Sequence, residues 1–527
     1  MSDFKMQIQT SASRLLPLLV AAFISLLTVT SWAAVPGITG KTFNLTAQQG
    51  YLTQPDGAAV YSWGYGCATG PNVTAPSFAP FPGFCNPMQV PGPTLIVNEG
   101  DTIMVTLTNN LPAVAGNTSI LFPGFQVSTT DPNNSAVQTG VQGLLTREAA
   151  SGGGTVTYTF VANKPGTHSY YSGTQGDLQV EMGLYGALIV LPKTVSGCSN
   201  SKGEYSLAVA AYDDLATNVN PSCYNREYLF QFAEMDARIH TQAEAIATCA
   251  AGPGVICPTT MQTVATEPYH PTYFLINGRS MPDDMDSNYA PEYPAQPYNG
   301  NPHMHPGELT LVRVIGTGRW QHPFHEHGNH VRLLARDGNL LLSATDSTKL
   351  AGPLLFTTPT TPGQAFDGIF YWTGKGLNWD IYGHKPGDGT VCIPDANGYY
   401  TADSGAPSTA LNYYEWCADH NKPLETHPYG SVGSGGPATL PDANILADGA
   451  WYGGSPYLGP DATANAVGQS PIPPAGTVVN PPGTEAGYAF MWHSHNEREI
   501  TTNDIFPGGM LMMMLVDPPV FHINEAQ

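Results

Sequence analysis

Short runs in which β-branched and aromatic residues alternate with polar residues recur along most of the chain, and Gly, Pro and Asn separate them. Period-2 alternation predicts strands with one buried face, and closely spaced short strands are typical of a β-sandwich. One segment, 236–251, predicts a short helix instead. The predicted strands cover residues 95–97, 102–108, 155–161, 186–191, 205–211, 228–232, 309–315, 331–335, 364–371 and 510–516.

These runs form two blocks, which we interpret as two β-sandwich domains. The first covers residues 35–195, and the second covers 196–373 and resumes over 485–527. Residues 374–484 are dense in Gly, Pro, Asn and Tyr. Loops of this length are uncommon inside compact domains, so we interpret this segment as an insertion that serves as a lid.

The first 34 residues have the pattern of a signal peptide. Lys5 and Arg14 precede an apolar run over 15–29, and small residues follow at Ser31, Ala33 and Ala34. The run is too short to span a bilayer well. We therefore expect a periplasmic or secreted protein without a membrane span.

Composition excludes some partners and fits this compartment. The formal net charge of −22 argues against a nucleic-acid partner, which is bound mainly through Lys and Arg. Eight cysteines favour structural disulfides in an exported protein, and none belongs to a C-x-x-C motif. Proximity suggests the pairs Cys67/Cys85, Cys198/Cys223, Cys249/Cys257 and Cys392/Cys417, although eight thiols allow 105 pairings.

Two histidine clusters in the second block carry the candidate chemistry. They are His322-Pro-Phe-His325-Glu-His327 and Trp492-His493-Ser494-His495. Residues two apart share one face of a strand, so His325 and His327 share a face, as do His493 and His495. On adjacent strands, these four imidazoles would hold one Cu²⁺ tetragonally or one Zn²⁺ tetrahedrally.

Carboxylates near the clusters would shift the metal preference towards Mn or Fe, but strand parity turns Glu326 away from the paired histidines. We therefore expect the nearby acids to form a solvated rim. These acids are Glu326, Glu497, Glu499 and Asp504.

The chain resembles the multicopper oxidases, which are built from cupredoxin β-sandwich domains. The resemblance rests on Pro91-Gly-Pro-Thr94, Asn109-Asn-Leu-Pro112, residues 183–190 and the H-P-x-H-x-H-G motif that begins at His322. It covers most of the chain outside the insertion. It implies an all-β protein of two cupredoxin-like domains, as in two-domain family members, and copper as the cofactor.

The ligand set that the resemblance implies is incomplete. Where the family has H-W-H-G, this sequence has Leu121-Phe-Pro123-Gly, and where the family has W-Y-H-S-H, it has Ser169-Tyr-Tyr171-Ser-Gly173. The first domain therefore supplies no copper ligand. Ser494 stands where the family's blue copper has cysteine. A second metal position would consist of His322, Glu499 and Met510.

The resemblance therefore implies a copper-dependent oxidoreductase with a reduced site, holding one copper ion rather than four at His325, His327, His493 and His495. A small phenol or a metal ion is the candidate substrate. Two alternatives stay open: a non-catalytic binding or surface-scaffold protein on the same fold, and a complete oxidase whose ligands are supplied within an oligomer. The sequence does not give the oligomeric state.

Overall fold

Alternating burial along the strands gives the chain two β-sandwiches. The computed structural model describes residues 35–68, 85–131, 134–138, 145–193, 198, 209–213, 222–374, 393–407, 416, 418, 454–457, 463–464, 478–479, 487–517 and 521–523. These residues belong to one unit of the chain, Ala34–Gln527. The all-β fold class is confirmed.

The first sandwich packs two sheets around one apolar core. In β8, for example, Val156, Tyr158 and Phe160 are buried and the threonines between them are partly exposed. One sheet has the order β1 (Ile38–Thr39), β4 (Leu95–Asn98), β10 (Tyr185–Leu191), β9 (Gly166–Tyr171). The other has the order β3 (Ala59–Cys67), β2 (Thr42–Thr53), β5 (Thr102–Asn109), β8 (Thr155–Val161), β6 (Ser128–Asp131), β7 (Asn134–Gln138).

The second sandwich also has two sheets, and Phe324 and Trp492 from one sheet pack with Phe230 and Phe370 from the other. One sheet has the order β14 (Tyr273–Ile276), β13 (Arg226–Met235), β16 (Leu309–Gly316), β22 (Ala365–Tyr371), β18 (Val331–Arg336), β19 (Asn339–Leu340), with β20 (Leu354–Leu355) also paired to β18. The other has the order β15 (His303–Met304), β27 (Leu511–Val516), β26 (Gly487–Ser494), β17 (His322–Glu326), β21 (Thr357–Thr360), with β23 (Gly454–Tyr457) paired to β26.

The remaining elements are short. Two small ladders pair β11 (Val209–Ala210) with β12 (Cys223–Tyr224), and β24 (Thr463–Ala464) with β25 (Val478–Val479). Among the described residues, the α-helices are Gly176–Gln179 and Ala237–Ala247, and the 3₁₀ turns are Ala113–Ala115, Met261–Thr263, Asp283–Met285 and Ala402–Ser404. Within the described ranges, no helix is long and apolar enough to cross a membrane.

The predicted helix forms, but it contributes to the first core. Asp236 caps its N-terminus by accepting a hydrogen bond from the backbone N–H of Arg238 at 3.0 Å. The helix follows β13 of the second sandwich, yet Ile239 and Ala243 pack into the core of the first. A domain boundary at residue 195 therefore assigns this helix to the second domain, although the helix covers the core of the first.

The two sandwiches share an apolar contact and a buried ion pair. Val35, Ala187 and Ile189 pack with Leu229, Ile315 and Ala365. Beside them the guanidinium of Arg313, fully buried, pairs with Glu227 and Asp367, and the same Asp367 binds Thr167 of the first sandwich. The interface thus combines apolar burial with compensated charge.

The structure confirms most of the predicted local features. Three disulfides form as proximity suggests, Cys67–Cys85, Cys198–Cys223 and Cys249–Cys257. The pair Cys392/Cys417 and the signal segment 1–34 lie outside the described residues, as do residues 205–208 of one predicted strand. Part of the segment interpreted as a lid joins the fold directly, since β23 adds a strand beside β26.

Candidate metal centre

Two neighbouring strands bring the paired histidines together. β17 and β26 are antiparallel, and their register sets His325 directly opposite His493. Directly opposite residues in a sheet project from the same face. The predicted convergence of the two H-x-H segments therefore follows from this register.

Three imidazoles form a compact, buried group. One ring nitrogen from each of His325, His327 and His493 lies within 4.8 Å of the other two. Their exposed fractions are 1%, 8% and 7%, and the Nε2 atoms of His327 and His493 are 3.2 Å apart. The ring of His495 lies beside them, with its centroid 4.7 Å from that of His325, but this residue is exposed.

The other ring nitrogens are oriented by the surrounding chain. His325 Nδ1 contacts the hydroxyl of Thr357 in β21, and His493 Nδ1 lies 2.6 Å from the carbonyl oxygen of Ser494. A hydrogen bond at one ring nitrogen fixes the tautomer and directs the other nitrogen, as is usual for histidines that bind metals.

The imidazoles of His325 and His493 are held in the neutral form that binds metals. Burial, followed by the neighbouring imidazoles of His327, His493 and His495, lowers the pKa of His325 to about 3. Burial also lowers the pKa of His493. Protons therefore compete weakly with a metal ion for these nitrogens at neutral pH.

The prediction that the nearby acids form a solvated rim is wrong for two of the four acids. Glu497 and Asp504 are exposed, but Glu326 and Glu499 are buried. Glu326 lies opposite Trp492 in the strand pairing and on the core side of β17, away from the histidines. Burial raises the pKa of its carboxyl group well above the usual range.

The residues of the second candidate position have other partners. His322 Nδ1 lies 2.9 Å from Glu499 Oε2, and His322 Nε2 lies 2.9 Å from Glu234 Oε2. A ring nitrogen that donates its hydrogen to a carboxylate has no lone pair for a metal. Met510 packs in the second core with Met512 and Met514. Glu234 was missed by the sequence analysis because it lies 88 residues before His322.

The tripeptide His303-Met304-His305 is also engaged within the protein. His303 Nδ1 pairs with Asp517 at 2.6 Å, and His305 contacts Glu308 and the carbonyl oxygen of Phe521. Met304 is buried in the second core. These contacts favour a structural role.

The first-sandwich positions that lack the family's histidines border a separate cavity. Leu121 and Tyr171 form an isolated β-bridge, and with Gly173 they line a cavity of about 330 Å³. Residues 316–318 and 362–363 of the second sandwich line its other side. Among the described residues that border it there is no histidine, so the four paired histidines lie elsewhere.

Comparisons with known proteins match part of the first sandwich to a known sequence family. Residues 84–195 match the sequence model described as "Multicopper oxidase". An L-ascorbate oxidase of Brassica rapa subsp. pekinensis is 43% identical over 102 residues, which are 19% of this chain and 16% of that protein. A laccase of Aspergillus fumigatus is 35% identical over 105 residues, which are 20% of this chain and 16% of that protein.

Residues 84–195 of the chain are therefore similar to the multicopper oxidase family. Among solved structures, the multicopper oxidase mgLAC aligns with a TM-score of 0.44 and 15% identity over 93% of this chain and 89% of the other. The blue copper oxidase of Nitrosomonas europaea aligns with a TM-score of 0.43 and 15% identity over 90% and 85%. The matches to the two curated relatives span 16% of the length of each. The family-model match ends at residue 195, before the candidate histidines.

Proposed function

We propose that this chain is a member of the multicopper oxidase family, that it is exported, and that it binds one copper ion at a reduced site, with at most limited oxidoreductase activity. The observation that carries the proposal is the group of three buried imidazoles, His325, His327 and His493, each of which brings one nitrogen to within 4.8 Å of the other two. The three disulfides support a periplasmic or secreted location, because disulfides persist in oxidising compartments.

The residues present fit copper. Imidazole nitrogens suit Cu²⁺, and the lowered pKa values of His325 and His493 keep these rings neutral. When bound, copper would supply one-electron redox chemistry. Thr357 and the Ser494 carbonyl would orient the ligand rings, and the exposed ring of His495 would leave one side open to a small phenol or a metal ion.

The metal content of the purified protein tests this proposal. We expect about one copper ion per chain by elemental analysis, and no intense red-region absorption, because the serine at position 494 supplies no thiolate. The double variant His325→Ala/His493→Ala should lose tight copper uptake. The matched control His270→Ala/His522→Ala removes two exposed imidazoles and should retain it.

The copper count also separates the alternatives. A chain that binds no copper would support the non-catalytic scaffold alternative. This alternative is favoured by Leu121 and Tyr171, which stand in the first sandwich where the family has histidine. Several ions per chain would support a complete oxidase whose ligands are supplied within an oligomer. Equal copper binding by the parent and the His325/His493 variant would contradict the proposed ligand set.

A further inference from the structure

A buried carboxylate–imidazole–carboxylate triad lies beside the three-histidine group. His322, at the start of β17, has no exposed surface, and its two ring nitrogens each lie 2.9 Å from a carboxylate oxygen, of Glu499 and of Glu234. Both acids are 1% exposed. A carboxylate beside each ring nitrogen favours the imidazolium form, in which both nitrogens of His322 carry a hydrogen to donate.

Backbone and side-chain donors satisfy the remaining oxygens of the triad. Glu234 Oε1 accepts hydrogen bonds from the backbone N–H groups of Arg319 and Trp320, at 2.7 and 2.9 Å. Glu499 Oε1 accepts one from the side-chain amide of Asn496 at 2.8 Å. A buried ion pair is tolerated when such additional hydrogen bonds complete it, and this triad meets that condition.

The chain makes room for the triad at Gly318. This residue has a φ of +73°, and a Cβ atom built on it would lie 2.3 Å from Glu234 Oε2. A side chain here would displace the carboxylate that holds His322. The absence of a side chain at Gly318 therefore leaves the space that the Glu234 carboxylate occupies.

The triad is connected to both strands that carry the paired histidines. His322 lies three residues before His325 on β17. On the other strand, the hydroxyl of Ser494, between His493 and His495, donates a hydrogen bond to Glu499 Oε2. The third member, Glu234, belongs to β13 in the opposite sheet. The triad therefore joins both histidine segments to a strand across the core.

We propose that Glu234, His322 and Glu499 form a metal-free clamp, at the position where the family resemblance implies a blue copper, and that this clamp positions the two H-x-H segments before copper binds. The inference rests on the proposed copper site. The three residues are positioning residues: they hold β17 to β26, and through Ser494 they fix the backbone on which His493 and His495 stand. The carboxylates occupy both ring nitrogens of His322, so this position takes no metal.

Ser494→Ala tests the clamp because it cuts the link to β26 and leaves all three buried charges paired. We expect the Cu²⁺ affinity, measured by competition with a chelator, to fall roughly 10–100-fold, as is usual when a residue that orients a metal ligand is removed. The copper count should stay near one, and the Cu²⁺ electron paramagnetic resonance spectrum should change. Glu499→Gln should act in the same direction.

The matched control is Ser280→Ala. Ser280 is also a buried serine and donates a hydrogen bond to the carbonyl oxygen of Phe274 at 2.9 Å. Its loss should lower the thermal unfolding temperature without changing copper affinity or the spectrum. Ser494→Cys provides a second test, since with the clamp in place no nitrogen of His322 is available to share a metal with the new thiolate.

Three results would overturn the clamp. They are parent-like copper affinity and spectrum in Ser494→Ala, an intense red-region band in Ser494→Cys, and a second copper ion that is lost in His322→Gln. If the parent protein binds one copper ion and Ser494→Ala has the same copper affinity and spectrum as the parent, only the clamp is contradicted and the proposed function stands. A parent that binds no copper would overturn both.

Discussion

The carboxyl group of Glu326 is buried with no hydrogen-bond partner among the described residues. Burial raises the pKa of this carboxyl group well above the usual range and so favours its protonated form. A buried polar group without a hydrogen bond is costly. We therefore expect Glu326→Leu to raise the free energy of unfolding of the metal-free protein by about 1–3 kcal/mol, measured with urea at pH 7. The exposed Glu497→Leu is the control, and a loss of stability in Glu326→Leu would reveal a stabilising role for the carboxyl group.

His322 gives the stability a defined pH dependence. Burial alone would lower its pKa, but hydrogen bonds to Glu234 and Glu499 outweigh burial and raise the pKa to about 9. An unfolded histidine titrates near ~6.5. Because the folded state holds the proton more tightly, the stabilisation is fully present below pH ~6.5 and is lost as the pH rises through about 9.

We expect the free energy of unfolding of the metal-free protein to fall by about 3 kcal/mol between these limits, from ~1.4 kcal/mol per unit of pKa shift. Urea unfolding across this pH range measures the effect. The variant His322→Gln should lack this part of the pH dependence. Parallel pH profiles for parent and variant would show that His322 is not the titrating group.

At the scale of strands, the sequence predicts an element well where one face is buried. β8 was predicted over the residues that it occupies because valine and aromatic residues alternate with threonine. Two-residue strands such as His303–Met304 have no such period, and their pairing depends on β27. Strand parity also anticipated the convergence of His325 and His493. It could not place Glu234 beside His322, since a sequence does not state which strands lie across a core.

Three alternating methionines after the second histidine cluster, Met510, Met512 and Met514, pack in the second core. Met512 is fully buried and lies opposite Trp492 in the pairing of β26 with β27. We expect Met512→Ala to cost about 2–5 kcal/mol, the usual range for truncation in a core, with the copper count unchanged. Denaturant unfolding and elemental analysis measure the two quantities. The half-exposed Met104→Ala is the control, and loss of copper without loss of stability would indicate a metal-binding role.

In the whole molecule, the family signature and the candidate chemistry lie in different sandwiches. The family model matches residues 84–195, whereas the converging histidines lie on β17 and β26 of the second sandwich or directly after them. A cavity lined by Leu121, Tyr171 and Gly173 lies where the first sandwich lacks the family's histidines. The match therefore includes none of the candidate histidines, and the proposed activity depends on residues beyond it.

Turnover tests the molecule as a whole. One Cu²⁺ accepts one electron, whereas reduction of O₂ to water requires four, so we expect little or no oxidation of phenols. Oxygen consumption should be measured with a phenol, with Fe²⁺ and with Mn²⁺, comparing the copper-loaded protein with His325→Ala/His493→Ala. Slow, copper-dependent uptake that yields peroxide would agree with a single-copper site, and no uptake would favour the scaffold protein. Rapid uptake that yields water would contradict the reduced site, because four-electron chemistry would require further copper ions held by ligands outside the group formed by His325, His327 and His493.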